Sequence, residues 1–213
     1  MPDTKISALS DAGALTGTEI VPLANAGANE RTTTQAIADL AGGGGAVDLI
    51  STQTADNTAS SIEWTGIPAR DYYKLCVQNL RPATDGITLS LQFGTGAGPT
   101  WDTVSTNYVW TGRNNNDTAE TGVFGSFSST GLFGYLGFYG NAVGGIGGAI
   151  EITGDGTNYW ANVTLMGKST DGKWYAWNGS IKWAASGTAT AVRLIASSGN
   201  LNTGKGSLYG LTS

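Results

Sequence analysis

From about residue 47 onward, apolar and polar positions alternate in short stretches separated by turn residues. The clearest are Tyr73–Val77, Ile87–Phe93, Gly148–Ile152, Trp160–Met166, Trp174–Trp183 and Ala191–Ile195. Successive side chains of a strand point to opposite faces, so period-two alternation predicts strands with one face buried and one wet. Asp85-Gly86, Asp155-Gly156, Asp171-Gly172 and Asn178-Gly179 are the dipeptides that favour tight turns between antiparallel strands. No helix of useful length is visible after Leu49. The pattern predicts about eight strands in two packed sheets, a mainly β, antiparallel β-sandwich of jelly-roll-like type.

The first 41 residues read differently. Ile20 and Val21 ahead of Pro22 predict a short strand, Asn25 to Asn29 a turn, and Arg31 to Thr34 a second strand. Gln35 to Leu40 predict one short helix, with Thr34 as N-cap and Ala36, Ile37 and Leu40 as its apolar stripe. So small a unit buries too little to stand alone and should fold against copies of itself or another protein. Gly42 to Gly45 is a run of four glycines, costly to order and therefore read as a joint. The expected organisation is a segment at 1–41, a glycine-rich hinge at 42–46 and a head at 47–213.

Composition narrows the function. Of the 213 residues only 13% are charged, and 33 are glycine, so the surface is neutral and rich in small polar groups. A net charge of −5 with 11 scattered basic residues argues against tracking a phosphate backbone, so no nucleic-acid partner is expected. Histidine is absent, which removes Ser-His-Asp and Cys-His catalysis and the commonest metal ligand. Cys76 is the lone cysteine, so neither an intrachain disulfide nor a zinc cluster is available. No cofactor or metal is predicted. Nothing resembles a membrane span or a secretory leader, so a product soluble in the cytoplasm that makes it is expected.

Two kinds of site chemistry remain. Cleavage of a polysaccharide needs two facing carboxylates, but Asp85, Asp155 and Asp171 each precede glycine, where a turn explains them. Gly94–Pro99 is glycine-rich without the spacing of a phosphate-binding loop, and reads as a plain loop. Sugar binding without cleavage is easier to supply. Trp101, Asp102, Asn107, Tyr108 and Trp110, followed by a polar loop that includes Asn115, form the densest mixture of flat rings and directing polar groups. The same aromatics could equally be core or subunit-interface residues. Trp174 and Trp177, three apart, face opposite sides of a strand, so at least one should be exposed or at an interface. Gly122–Gly148, with Phe124, Phe127, Phe133, Tyr135, Phe138 and Tyr139, admits both a core strand pair and a partner-facing surface.

Three pieces of the first 41 residues resemble the virion-attachment segment of tailed-bacteriophage tail fibres and related appendages. They are Lys5-Ile6-Ser7-Ala8-Leu9, then Ala14–Leu23 with Leu15, Ile20, Val21 and Pro22, then Thr32–Ile37 running toward Leu40. More loosely, Ile67-Pro68 before Tyr72–Leu75, Gln92–Trp101 and Ser207–Leu211 resemble the β-sandwich heads of phage fibre and decoration proteins. The resemblance implies a homotrimer in the virion, assembled in the host bacterial cytoplasm. It also implies attachment through residues 1–45 to a tail, collar or capsid protein, with the head free to touch host-surface polysaccharide. A decoration protein without receptor binding and, further off, a glycan hydrolase are the alternatives.

Overall fold

The computed structural model describes residues 20–25, 28–33, 47–85, 87–116, 120–127, 131–132, 145–168, 174–184 and 187–211; for 20–33, 114–116, 120–127 and 131–132 the description is of the backbone. The expected attachment residues Ile6, Leu9, Leu15, Ile37 and Leu40, the helix and the glycine hinge lie outside the described residues. The described residues fall into two units, one of which contributes a single hairpin. In it β1 (Ile20–Asn25) pairs antiparallel with β2 (Ala28–Thr33), Ile20 opposite Thr33 and Pro22 opposite Arg31. Asn25, Ala28 and Asn29, expected in the turn, belong to the strands instead.

The second unit, Val47–Leu211, is a β-sandwich. Its first strands are β3 (Val47–Thr54), β4 (Ser61–Thr65), β5 (Tyr72–Pro82), β6 (Leu89–Thr95), β7 (Thr100–Trp101), β8 (Tyr108–Asn116) and β9 (Glu120–Phe127). They are followed by β10 (Gly131–Leu132), β11 (Ile146–Gly154), β12 (Asn158–Lys168), β13 (Trp174–Ala184), β14 (Ala191–Ala196) and β15 (Leu201–Leu211). One sheet runs β3-β15-β5-β11-β12-β13-β8-β9; the other runs β10-β6-β14-β4, with β7 beside β6. All pairs are antiparallel. The facing sets β3-β15-β5-β11 and β4-β14-β6-β10 have the strand order of a jelly roll. Strands β7 to β9 are inserted before β10, and β12–β13 between β11 and β14; of these, β12, β13, β8 and β9 extend the larger sheet past its β11 edge. The expectation of about eight strands therefore undercounts the head.

Alternation explains the core. In β12, Tyr159, Ala161, Val163 and Leu165 are buried while Trp160, Asn162, Thr164 and Met166 are exposed. Inward residues of both sheets, among them Trp64, Leu75, Phe93, Ile150, Trp177, Trp183, Leu194 and Leu208, form one contiguous core. At roughly 25 cal/mol per Å², each fully buried side chain of this size contributes about 1.5–3 kcal/mol.

Two expected turns are strand instead. Asn178-Gly179 lies inside β13, paired with Thr164 and Val163 on one side and with Arg113 and Gly112 on the other. A Cβ at Gly179 would lie 2.8 Å from both the Thr111 carbonyl oxygen and Trp177 Nε1, so the glycine makes room for an indole lying along the sheet. Of the polar loop expected at Arg113–Asp117, Arg113–Asn116 is likewise the end of β8, paired with β13 through Asn116 and with β9 through Asn115, while Asp117 lies outside the described residues. Asp155-Gly156 turns as expected, and of the loop expected at Gly94–Pro99 the turn is Gly96–Pro99, with Gly94 and Thr95 ending β6. Asp155 Oδ1 accepts from the Thr157 and Asn158 amides at 2.9 and 2.7 Å, and those amides hold its carboxyl well below the usual carboxylate range.

Candidate functional site

The site is built where β6 turns back into β7. Gly94 at the end of β6 lets Trp101 close over it; a Cβ there would stand 3.0 Å from the ring. The Arg193 guanidinium, carried on β14, lies 4.3 Å from the ring centre of Trp101, within cation–π range. Arg193 also donates from Nε to Gln92 Oε1 at 2.7 Å and from Nη1 to Glu63 Oε1 at 3.0 Å. Gln92, buried on β6, passes the chain on by donating from Nε2 to the Asp102 carbonyl at 2.7 Å. Trp101 is thus held from beneath by a polar network running across the smaller sheet.

Asp102 follows directly and fixes the rim. Its Oδ1 accepts from the Val104 amide at 2.8 Å, and its Oδ2 from Asn107 Nδ2 and Trp183 Nε1, each at 2.7 Å. These bonds hold the 3-10 turn Ser105–Asn107 against the sheet. Below it, Trp183 stacks on Phe93 at 4.8 Å and 10°, with Tyr159 and Tyr108 tilted against it at 5.5 and 6.4 Å. Above it opens a cleft of about 490 Å³, bordered by Trp101, Asn107 and the hydroxyls of Thr95, Thr100 and Thr103. That volume is in the range of small-ligand sites.

Trp101, Asp102 and Asn107 are therefore brought together as the sequence suggests, but the other three members of the expected group are not. Tyr108 is fully buried and cannot offer a ring to a sugar; its hydroxyl accepts from the Phe93 amide at 3.1 Å. Burial pushes that phenol far above its ordinary value. Trp110 faces inward, 6.4 Å from Trp177, and packs on the core because it shares Tyr108's face of β8. Asn115 is opposite Ala176 near the far end of β8, seven residues beyond Tyr108 or about 24 Å at an antiparallel rise. Trp183, Gln92 and Arg193 are participants that sequence reasoning missed. They reach the site through sheet pairing, and no local pattern marks them.

The exposed face of the larger sheet carries the second concentration of aromatics. Trp160 and Trp174 are 40% and 52% exposed, whereas Trp177 is buried, as the three-residue spacing requires. No family model, curated protein or solved structure matches the chain. Among the described residues, no group of three His, Cys, Asp or Glu is placed to hold a metal ion, and no helix is long and apolar enough to cross a membrane.

Proposed function

We propose that the chain is a non-catalytic component of a tailed-phage virion, a trimeric fibre or tail appendage held by its first 45 residues, whose jelly-roll head binds host-surface glycans. The resemblance of Lys5–Leu9, Ala14–Leu23 and Thr32–Ile37 to virion-attachment segments supports the location. The observation that carries the binding reading is the state of Asp102. Both of its oxygens are engaged by three donors, in a cleft otherwise bordered by three threonines, Asn107, Val104, Gly187 and the two tryptophans Trp101 and Trp183. Such a site can hold a polar ring, but its carboxylate is committed to the loop and is poorly placed to donate or accept the proton that glycosidic cleavage requires. Elsewhere Glu63 binds Arg193 and Glu151 lies 3.6 Å from Lys74, further carboxylates with structural partners.

The test is adsorption of the whole protein to host cells and to a glycan array, with release of reducing ends measured in parallel. Adsorption without release is expected. Release of reducing ends would sink the non-catalytic reading, and absence of all adsorption would leave a decoration role. Light scattering should give three times the chain mass; a stable monomer at micromolar concentration contradicts the trimer.

A further inference from the structure

The strands inserted into the jelly roll present a surface that the cleft does not use. On the exposed face of β12, β13 and β8, cross-strand rows read Trp160–Lys182–Val109, Asn162–Ser180–Thr111, Thr164–Asn178–Arg113, then Met166–Ala176 and Lys168–Trp174. The middle rows floor a shallow trough of about 440 Å³ with hydroxyls and amides. The two exposed tryptophans lie outside it on the same face, Trp160 in the row beside Asn162–Ser180 and Trp174 beyond the Met166–Ala176 row. Lys182, opposite Trp160, lies eight positions along β13 from Trp174, about 27 Å at an antiparallel rise. The Lys182 ammonium sits 5.9 Å from the Trp160 ring centre.

Charge is distributed unevenly as well. The chain has a net charge of −5, yet β8, β12 and β13 contain Arg113, Lys168 and Lys182 and no carboxylate. Four of the eight large apolar side chains exposed among the described residues, Val109, Trp160, Met166 and Trp174, also lie on this face. Two separated flat rings, a floor of groups that both donate and accept, and the Lys182 ammonium beside Trp160 together match an extended sugar chain bearing acidic groups. Three cations are too few for tight tracking of a nucleic-acid backbone.

We infer that the exposed face of β12–β13–β8 binds an acidic polysaccharide lying along the strands, stacked on Trp160 and Trp174 and steered by Lys182. This rests on the glycan-binding reading above and adds to it a second site and a substrate class.

Affinity electrophoresis of the full chain through gels containing polygalacturonate, alginate or polysialic acid tests it, with neutral dextran as the comparison. At least one acidic polymer should retard the protein and dextran should not, and the effect should shrink several-fold between about 0.05 and 0.5 M salt as charge is screened. Trp160→Ala, Trp174→Ala and Lys182→Gln should each weaken retardation by about tenfold, the equivalent of roughly 1.4 kcal/mol. Thr103→Trp, which fills the cleft, and Leu49→Ser, on the far edge of the sheet, should leave it unchanged.

Retardation abolished by Thr103→Trp but not by the face variants would overturn the inference while leaving a glycan-binding cleft. So would adsorption to host cells by a protein that no acidic polymer retards. Loss of both would remove the inference and the binding reading together. A change of oligomeric state in Trp160→Ala or Trp174→Ala would assign the face to a second copy of the chain instead.

Discussion

Trp183 and Asp102 are 81 residues apart in sequence and are joined by a 2.7 Å hydrogen bond from the indole N–H to Oδ2. One partner is a fully buried member of an aromatic cluster, and the other lies on the rim of the cleft. The bond ties the position of the 102–107 loop to the core, so the cleft is shaped before any ligand arrives.

Removing the carboxylate tests that link. Asp102→Ala takes the acceptor from three donors, one of them the buried Trp183 N–H, and leaving such a donor unpaired costs about 1–3 kcal/mol. A drop of about 2–3 kcal/mol in stability is expected, read from the urea midpoint at constant slope. Asp102→Asn keeps one carbonyl acceptor but turns a donor toward one of its partners, so it should fall between the two. An Asp102→Ala midpoint equal to that of the parent would show that the loop is held by other contacts.

Gly112 and Gly179 lie under the Trp177 indole, and a methyl group on Gly112 would overlap the six-membered ring. The ring is 1% exposed and cannot swing out without opening the core. Gly112→Ala should therefore destabilise by about 1–3 kcal/mol, the usual cost of overpacking. Gly98→Ala, where nothing lies within 4 Å, should be silent in the same denaturation assay. Trp177→Leu should relieve part of the Gly112→Ala penalty when the two are combined, and additive losses would mean that the ring is not the obstacle.

The same pair explains what could and could not be read in advance. Alternation in Trp160–Met166 is legible because one face of β12 meets the core and the other meets water. Asn178-Gly179 and Asn114–Asn116 read as turn and loop because the local residue types favour turns. In the sheet the requirement is long-range, since Gly179 must clear Thr111 and Trp177, and Asn114–Asn116 are held by backbone bonds to β13. The candidate site divides in the same way. Trp101, Asp102 and Asn107 are near neighbours in the chain and so form a visible group, whereas Trp183, Gln92 and Arg193 arrive on other strands. Tyr108 and Trp110 take the core alternative, which could not be chosen in advance because residue type alone does not say which face of β8 is inward.

Burial of Tyr108 and Tyr73 gives a sign to the alkaline limit of stability. In both, loss of water around the phenol is the largest cause of a pKa above the ordinary value of 10.0, and Tyr73 keeps its proton in a 2.6 Å bond to the Pro68 carbonyl. The unfolded chain ionises first, so the stabilisation is complete below about pH 10 and is lost as pH rises beyond it. Each such phenol adds a slope of up to about 1.4 kcal/mol per pH unit. Absorbance near 295 nm should show these two phenols titrating only as the circular dichroism of the sheet collapses. Tyr108→Phe should be less stable at neutral pH, because the Phe93 amide loses its acceptor, yet should decline less steeply above pH 10. A parent-like slope in that variant would mean that the hydroxyl is already ionised in the folded head.

Arg193 offers the sharpest separation of charge from geometry. Its side chain is 17% exposed, and it serves Gln92, Glu63 and the face of Trp101 at once. Lysine keeps the charge but cannot reproduce a planar fork that bonds two acceptors while lying on a ring. Arg193→Lys should cost about 1–2 kcal/mol in the urea midpoint. A double-mutant cycle with Glu63→Gln should assign only about 0.5–1 kcal/mol of this to the ion pair, because Glu63 is 36% exposed and solvent screens it. The remainder belongs to Gln92 and Trp101. Loosening Trp101 should also weaken any ligand held in the cleft, whereas retardation by an acidic polymer, which depends on the opposite sheet, should not change. A cycle that returned the whole loss as Arg193–Glu63 coupling would show that Trp101 is positioned without the guanidinium.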